Sequence, residues 1–447
     1  MATIAPTRPE YLPPICGEST LMAIEKIRLD RRQFLAASTL SLAFTAKTSA
    51  KTDAPRKKVA FIGTEVRTHS HAQHFLDRMT LGYSWAGRWE MPRVDVASIY
   101  TDQFPKGDLA KERIARHKLN SYPTIAEALT QGGSKLAVDG VVIIAEHGEY
   151  KKNEKGQILY PRYEFFKQAV KVFDDSGRGV PVFNDKHLST TWARSSEMVN
   201  DSKRLNFPFL AGSSLPVTWR FPQIDMPHNT PLSESVCVGY GGVDSYDFHG
   251  LETAQCMSER RLGGEVGIKQ VHALRGAKMW EKLMLPQHET TRKLMVAALN
   301  RSHNLPVDTG YPSDAVTVEW AHKKFPEMIA YFIDHNDGFK TTLFLASIQD
   351  FNYAGMRSDN GEIISCQMYL PMPSHGATTA DFFSPLVRHI ETMVIENKPL
   401  YPVERTLLTS GMVIGGVDSL YQKQVPVATP EMVVKYQVSP ESYFRRV

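Results

Sequence analysis

Glu146, His147, Asn184, Lys186 and His187 directly follow two short apolar runs, Val138–Ile144 and Val180–Phe183. His69, His71 and His74 crowd the turn behind a third run, Val59–Ile62. His249, Glu252, Cys256 and Glu259 recur at three- and four-residue spacing, so on a helix they share one face. Imidazoles and carboxylates gathered in this way can move protons near neutral pH. His69, His71, Glu146 and His147 could instead hold a divalent metal. A lysine beyond a strand end, such as Lys186, is open to a pKa lowered by burial and neighbours. The plain alternatives are a solvated loop lysine and a structural helix histidine.

The elements that must position these residues are legible around them. Val59–Ile62 has no alternation, which predicts a strand buried on both faces, as in a parallel sheet. Gly63 ends it, and His71–Met79 reads as a short amphipathic helix. Strand, glycine turn and helix form the entry to a dinucleotide-binding fold. The glycine fingerprint is incomplete, because Glu65 and Thr68 stand at its second and third positions. From 93 to 220, strands alternate with helices: strands over Val94–Tyr100, Val138–Ile144, Val180–Phe183 and Phe209–Gly212, helices over Leu109–His117, Thr124–Leu129, Tyr163–Asp174 and Ala193–Leu205. This order predicts βαβ units with ligands beyond the carboxyl ends of the strands. After Arg220 the pattern changes. A helix is expected over Tyr246–Arg261, then strands over Gly267–Leu274, Ala315–Trp320, Met328–Ile333 and Lys340–Ser347, and helices over Phe382–Glu396 and from Val403 to about Leu420. Strands in succession predict an α+β domain with a mostly antiparallel sheet.

The chain has 447 residues. Asp30-Arg31-Arg32-Gln33-Phe34-Leu35, the uncharged stretch Phe34–Ala46 and the small residues Thr48-Ser49-Ala50 follow the order of a twin-arginine export signal. Met22 is an alternative start. The expectation is a periplasmic or secreted protein with no membrane span once residues 1–50 are removed. Those 50 residues hold six of the 52 Lys and Arg and four of the 48 Asp and Glu, which leaves 46 basic against 44 acidic. A balance so near neutral gives no reason to expect nucleic acid as a partner. Cys237, Cys256 and Cys366, left when Cys16 is set aside with the leader, are too far apart for a zinc pattern and too few for a disulfide framework.

The motifs in order resemble the Gfo/Idh/MocA oxidoreductases over nearly the whole chain after the leader, and within them an exported bacterial subgroup. VAFIGTEVRTHSH corresponds to their first strand and turn, Asp102 to the acid that holds the adenosine ribose, and Glu146-His147-Gly148 to their Thr-Pro-Asn. Asp185-Lys186-His187 stands for Glu-Lys-Pro and keeps the lysine; His249 with Glu252 stands for their helix histidine and aspartate; PVERTLLTSG resembles their closing helix. The resemblance implies a Rossmann-type domain over 55–220 and an α+β domain over 221–447 whose last segment packs back on the first. It implies a tightly bound NAD or NADP held by Gly63, Thr64, Glu65, His71, Asp102, Glu146, His147 and Lys186, a carbohydrate or polyol substrate, and association through the second sheet into a homo-oligomer. A sugar dehydrogenase needs a general base and a cation beside the developing oxyanion. Lys186 and His249, with Glu252 one turn on, are the catalytic candidates. Trp192, Trp219 and Trp320 are candidates for a sugar-stacking face. Two other readings stay open: a metal-dependent lyase or epimerase, and a non-catalytic carbohydrate binder on the same scaffold.

Overall fold

The computed structural model describes residues 55–306, 314–371 and 379–446. The expected leader lies outside them. The strands of the first sheet are β1 (Lys58–Gly63), β4 (Asp95–Thr101), β5 (Asn120–Ser121), β6 (Gly140–Ile144), β7 (Val182–Asp185) and β8 (Phe209–Gly212), with the hairpin β2 (Tyr83–Trp85) and β3 (Arg88–Glu90) beside them. The helices between them are α1 (His71–Leu81), α2 (Ala110–His117), α3 (Ile125–Thr130), α4 (Arg162–Ser176) and α5 (Trp192–Arg204). Beyond these come β9 (Arg220–Phe221), β10 (Leu232–Tyr240), α6 (Asp247–Ser258), β11 (Ile268–Arg275), α7 (Gly276–Leu283), α8 (Glu289–Leu299) and α9 (Val318–Lys324). The chain then closes through β12 (Ile329–His335), β13 (Lys340–Ala346), β14 (Phe351–Arg357), β15 (Ile363–Met368), α10 (Ser384–Glu396), α11 (Glu404–Tyr421) and β16 (Val427–Ala428).

The first sheet runs β5-β4-β1-β6-β7-β8, and every pairing in it is parallel. Its central strands β1 and β6 are apolar runs of the sequence buried on both faces. The chain leaves β1 in opposite directions to its two neighbours, β4 and β6, so the carboxyl end of β1 is a switch point where this fold places ligands. Ser70 caps α1 by accepting the Gln73 N–H at 3.1 Å, and Thr124 and Glu127 cap α3 reciprocally.

The second sheet runs β16-β11-β12-β13-β10-β14-β15-β9 and is antiparallel except at β10–β13. The fold is therefore α/β with a Rossmann-type first sheet and a mostly antiparallel second one. Residues Ala315–Trp320, expected as a strand, instead lead into α9. Thr317 accepts the Trp320 N–H at 3.1 Å and starts a helix, and the β-branched residues that suggested a strand lie at that boundary. Trp320 is core, packed with Trp280 and Phe325 under the second sheet.

Helices α6 and α11 lie between the sheets, and their apolar residues join those of β6 and β11 in one core. Their close approach depends on small residues. A Cβ on Gly416 of α11 would come within 2.2 Å of the Tyr331 ring on β12. The opposite face of the first sheet is covered by α1 and by α10, where Leu386 and Ile390 meet Phe61 and Phe75. Among the described residues no helix is long and apolar enough to cross a membrane.

Glu252 ties α6 to the end of β8. Its Oε2 accepts from the Ser213 amide at 2.7 Å and the Ser213 hydroxyl at 2.5 Å, and Gly212, at φ +123°, leaves the space its carboxyl group fills. Burial pushes its pKa up to about 7, against the pull of the two Ser213 bonds. A folded-state pKa above the unfolded value means that the folded chain holds the extra proton between the two. The contribution of Glu252 to stability is then full at pH 4 and is lost as pH rises from about 4.5 to 7, by on the order of 3 kcal/mol. Buried histidines held neutral, His74, His187, His249 and His389, contribute the opposite slope. The loss will therefore be read from urea titrations as the stability difference between wild type and Glu252→Gln, which moves against the wild type as pH rises across that range. Gly416→Ala will lower the midpoint at every pH, by about 1–3 kcal/mol, because Tyr331 must move.

Candidate active site

Three loops leave the carboxyl edge of the first sheet at β1, β6 and β7. Each carries a non-glycine residue in the left-handed region: His69 at φ 66°, His147 at φ 64° and Lys186 at φ 62°. Such conformations are costly for residues with a Cβ and gather where side chains must be aimed. All three side chains line one cleft of about 400 Å³. Asp244, Tyr246 and His249, from the start of α6 and the turn before it, form the facing wall, and Phe382 and Phe383 close one end.

Glu146 lies at the centre, 2% exposed. Its Oε1 accepts the backbone N–H of His71 at 2.7 Å, and its Oε2 is bonded to the Lys186 ammonium. His147 Nε2 is 3.4 Å from Oε1. Burial opposes the charge on Glu146, but His71, Lys186 and His147 hold its pKa well below the usual carboxylate range. Lys186 is its counterpart. Burial works against the ammonium, and Glu146 and then Asp185 outweigh it, so its pKa is raised. The lowered pKa that the sequence suggested for Lys186 is thus corrected: the residue is a fixed cation, not a base.

His71 stands between the carboxylates. Its Nδ1 is 2.9 Å from Asp185 Oδ2 and 3.0 Å from Oδ1. An ionised carboxylate only accepts, so Nδ1 carries a proton. The ring packs edge-on to Phe383 and lies 6.1 Å from that of His249. His249 is buried, and its Nδ1 has no partner among the described residues. Burial, with Lys186 and His71 adding to it, pushes its pKa well below 6.5 and leaves it neutral. His187 is depressed in the same way, by burial and then by Arg162 and Lys186.

Of the residues expected here, His71, Glu146, His147, Lys186 and His249 meet in the cleft, with His69. Gly63, Thr64, Glu65, Asp102 and Glu252 do not line it. Thr64 bonds the Glu146 carbonyl through its hydroxyl, and Glu65 is buried 3.6 Å from Arg67 Nε. Asp102 accepts from the hydroxyls of Tyr100 at 2.6 Å and Tyr150 at 2.7 Å. Glu252 faces Ser213 instead. Trp192, Trp219 and Trp320 are not among the lining residues either. Sequence reasoning missed Asp185 as the partner of His71, and Arg162, which follows Tyr160-Pro161 at the start of α4. Only the position of Asp185 beside Lys186 could have signalled the first; nothing local signals the second.

These contacts bear on the expected cofactor. A dinucleotide's pyrophosphate meets the first amides of the helix after β1. Here the His71 amide donates to Glu146, no glycine cradle follows Gly63, and Asp102 is taken by two tyrosines. Gln103 also exchanges bonds with the backbone of Glu149, joining the loops on either side of β1. In this arrangement the first amide of the helix and Asp102 already have partners within the chain, while the end beside Lys186 and His249 is open. A dinucleotide would have to displace Glu146 from the His71 amide.

No family model matches the chain, and no curated protein matches it by sequence. Solved structures do. The crystal structure of GenD2 from gentamicin A biosynthesis in complex with NAD aligns with a TM-score of 0.50 at 12% identity, over 84% of this chain and 96% of that one. A probable dehydrogenase from Thermotoga maritima aligns with a TM-score of 0.48 at 10% identity, over 83% and 98% of the two chains. Myo-inositol 2-dehydrogenase from Lactobacillus plantarum aligns with a TM-score of 0.46 at 10% identity, over 83% and 99%. At such identities the likeness to GenD2 establishes a shared fold across both sheets.

Proposed function

We propose that the chain is an oxidoreductase-type enzyme that acts on a carbohydrate or polyol in this cleft. The observation that carries the reading is the meeting of a fixed ammonium, Lys186, with the imidazoles of His71 and His249 at a sheet's carboxyl edge. A substrate hydroxyl would give its proton to His71 Nε2, while Asp185 holds the ring and steadies the imidazolium that forms. Lys186 would stand beside the oxygen as it becomes anionic, and Glu146 keeps the ammonium in place. His249, neutral and unpaired at Nδ1, would accept a second hydroxyl and orient the ring. The shared fold with NAD-bound GenD2 supports a nicotinamide cofactor, which would supply the hydride acceptor. The twin-arginine pattern supports export of the folded chain.

A second reading has its own observation. His71, Glu146 and Asp185 each offer a ligand atom within 4.8 Å of the other two, a spacing suited to one divalent ion. This favours a metal-dependent lyase or epimerase, in which His71 would be a ligand and not the base.

One sample separates the readings. Protein purified from its own compartment is denatured, and released nucleotide and bound metal are measured together. Nicotinamide nucleotide near one equivalent supports the oxidoreductase. Its absence, with no thermal shift on adding NAD or NADP, sinks that reading; one equivalent of metal, lost in His71→Ala, then supports the lyase. On the substrate so identified, Lys186→Met will lower kcat/KM by about 10²–10³-fold, since it removes the oxyanion's partner.

A further inference from the structure

Arg162, the first residue of α4, is 4% exposed and lines the cleft. Its Nη1 meets His187 Nε2 at 3.2 Å, and its guanidinium lies 5.1 Å from the Tyr160 ring centroid. A guanidinium only donates, so Nε2 is the acceptor, and His187 is neutral. The Nε of Arg162 is buried without a partner, and among the described residues no carboxylate pairs with the side chain. Three other deeply buried arginines have one: Arg220 pairs with Asp225 at 2.6 Å, Arg261 with Glu265 at 3.0 Å, and Arg405 with Glu259, while the buried Arg78 is satisfied by backbone carbonyls. Asp185, Asp244 and Glu146 act on Arg162 only through space. A buried cation beside a cavity that no carboxylate contacts can take an anion from outside.

We propose that the substrate is an acidic sugar, a uronic or aldonic acid, whose carboxylate is held by Arg162. The inference rests on the reading of the cleft as a substrate site and names the class of sugar it takes. The charge balance favours a carboxylate over a phosphate. Lys186 is committed to Glu146, so Arg162 is the one deeply buried lining cation without a carboxylate among the described residues, which matches a single negative charge. A carboxylate also matches the planar donor fork of arginine. With the acid group at Arg162, the hydroxyl-bearing carbons would extend toward Lys186 and the imidazoles that line the same cleft.

The test is calorimetric titration of the purified full chain with hexuronates and hexonates of gluco, galacto and manno configuration, their neutral parent sugars, and the matching sugar 6-phosphates. At least one acid is expected to bind tenfold or more tightly than its neutral parent. Arg162→Met will abolish that preference, and Arg162→Lys, which keeps the charge and loses the fork, will retain part of it. Equal binding of acids and neutral sugars overturns the inference and leaves the substrate-site reading standing. Tighter binding of the 6-phosphates overturns the carboxylate assignment. Binding of no sugar in any series overturns both. If Arg162→Met does not fold, the wild-type selectivity and Arg162→Lys still decide.

Discussion

The contact on which the site depends is the bond between Glu146 and the first amide of α1. A carboxylate is a natural occupant of a helix N-terminus, where unsatisfied N–H groups and the helix dipole favour negative charge. In this fold that place ordinarily serves a ligand. Here the chain fills it from its own β6 loop, and everything nearby is arranged accordingly. Lys186 is drawn to the same carboxylate and becomes a fixed cation. His71, at the first position of that helix, is carried to Asp185. The β1, β6 and β7 loops are joined at one point, and the strained backbone at His147 and Lys186 is held by these charge-assisted bonds.

The same contact explains why fold and site were unequally legible in the sequence. The first sheet could be read because strands buried on both faces are unbroken apolar runs, and the residues after each run mark the carboxyl edge. Val59–Ile62 and Val138–Ile144 needed no long-range information. β10 and β14 carry Ser, Gly, Cys and Asn among their buried positions, and no clean alternation survives. Their pairing is set by the helices on both faces, which local pattern does not encode. Residues 315–320 failed for a related reason, since β-branched residues beside a helix cap resemble a strand.

Within the site, residue types were readable and orientations were not. Lys186 and His249 could be placed near a strand end and on a helix. That Glu252, one turn from His249, turns away to Ser213 depends on the missing side chain at Gly212. That Asp185 meets His71 depends on a separation of 114 residues and on the parallel order of the sheet. Arg162 had no signal at all, because an arginine at the start of a helix is ordinary until its lack of a carboxylate is seen.

The cover of the first sheet has a consequence for the order of events in the cell. Phe61 and Phe75 leave the ribosome well before their partners in α10, Leu386 and Ile390. At about 5–20 residues per second, the 300-odd residues between them take on the order of half a minute to synthesise. Once β8 has been made, and until α10 follows, the nascent chain carries a complete parallel sheet with one greasy face only partly covered. Closure of this face therefore waits for the synthesis of α10. The interval before it is when a chaperone would find the most to hold.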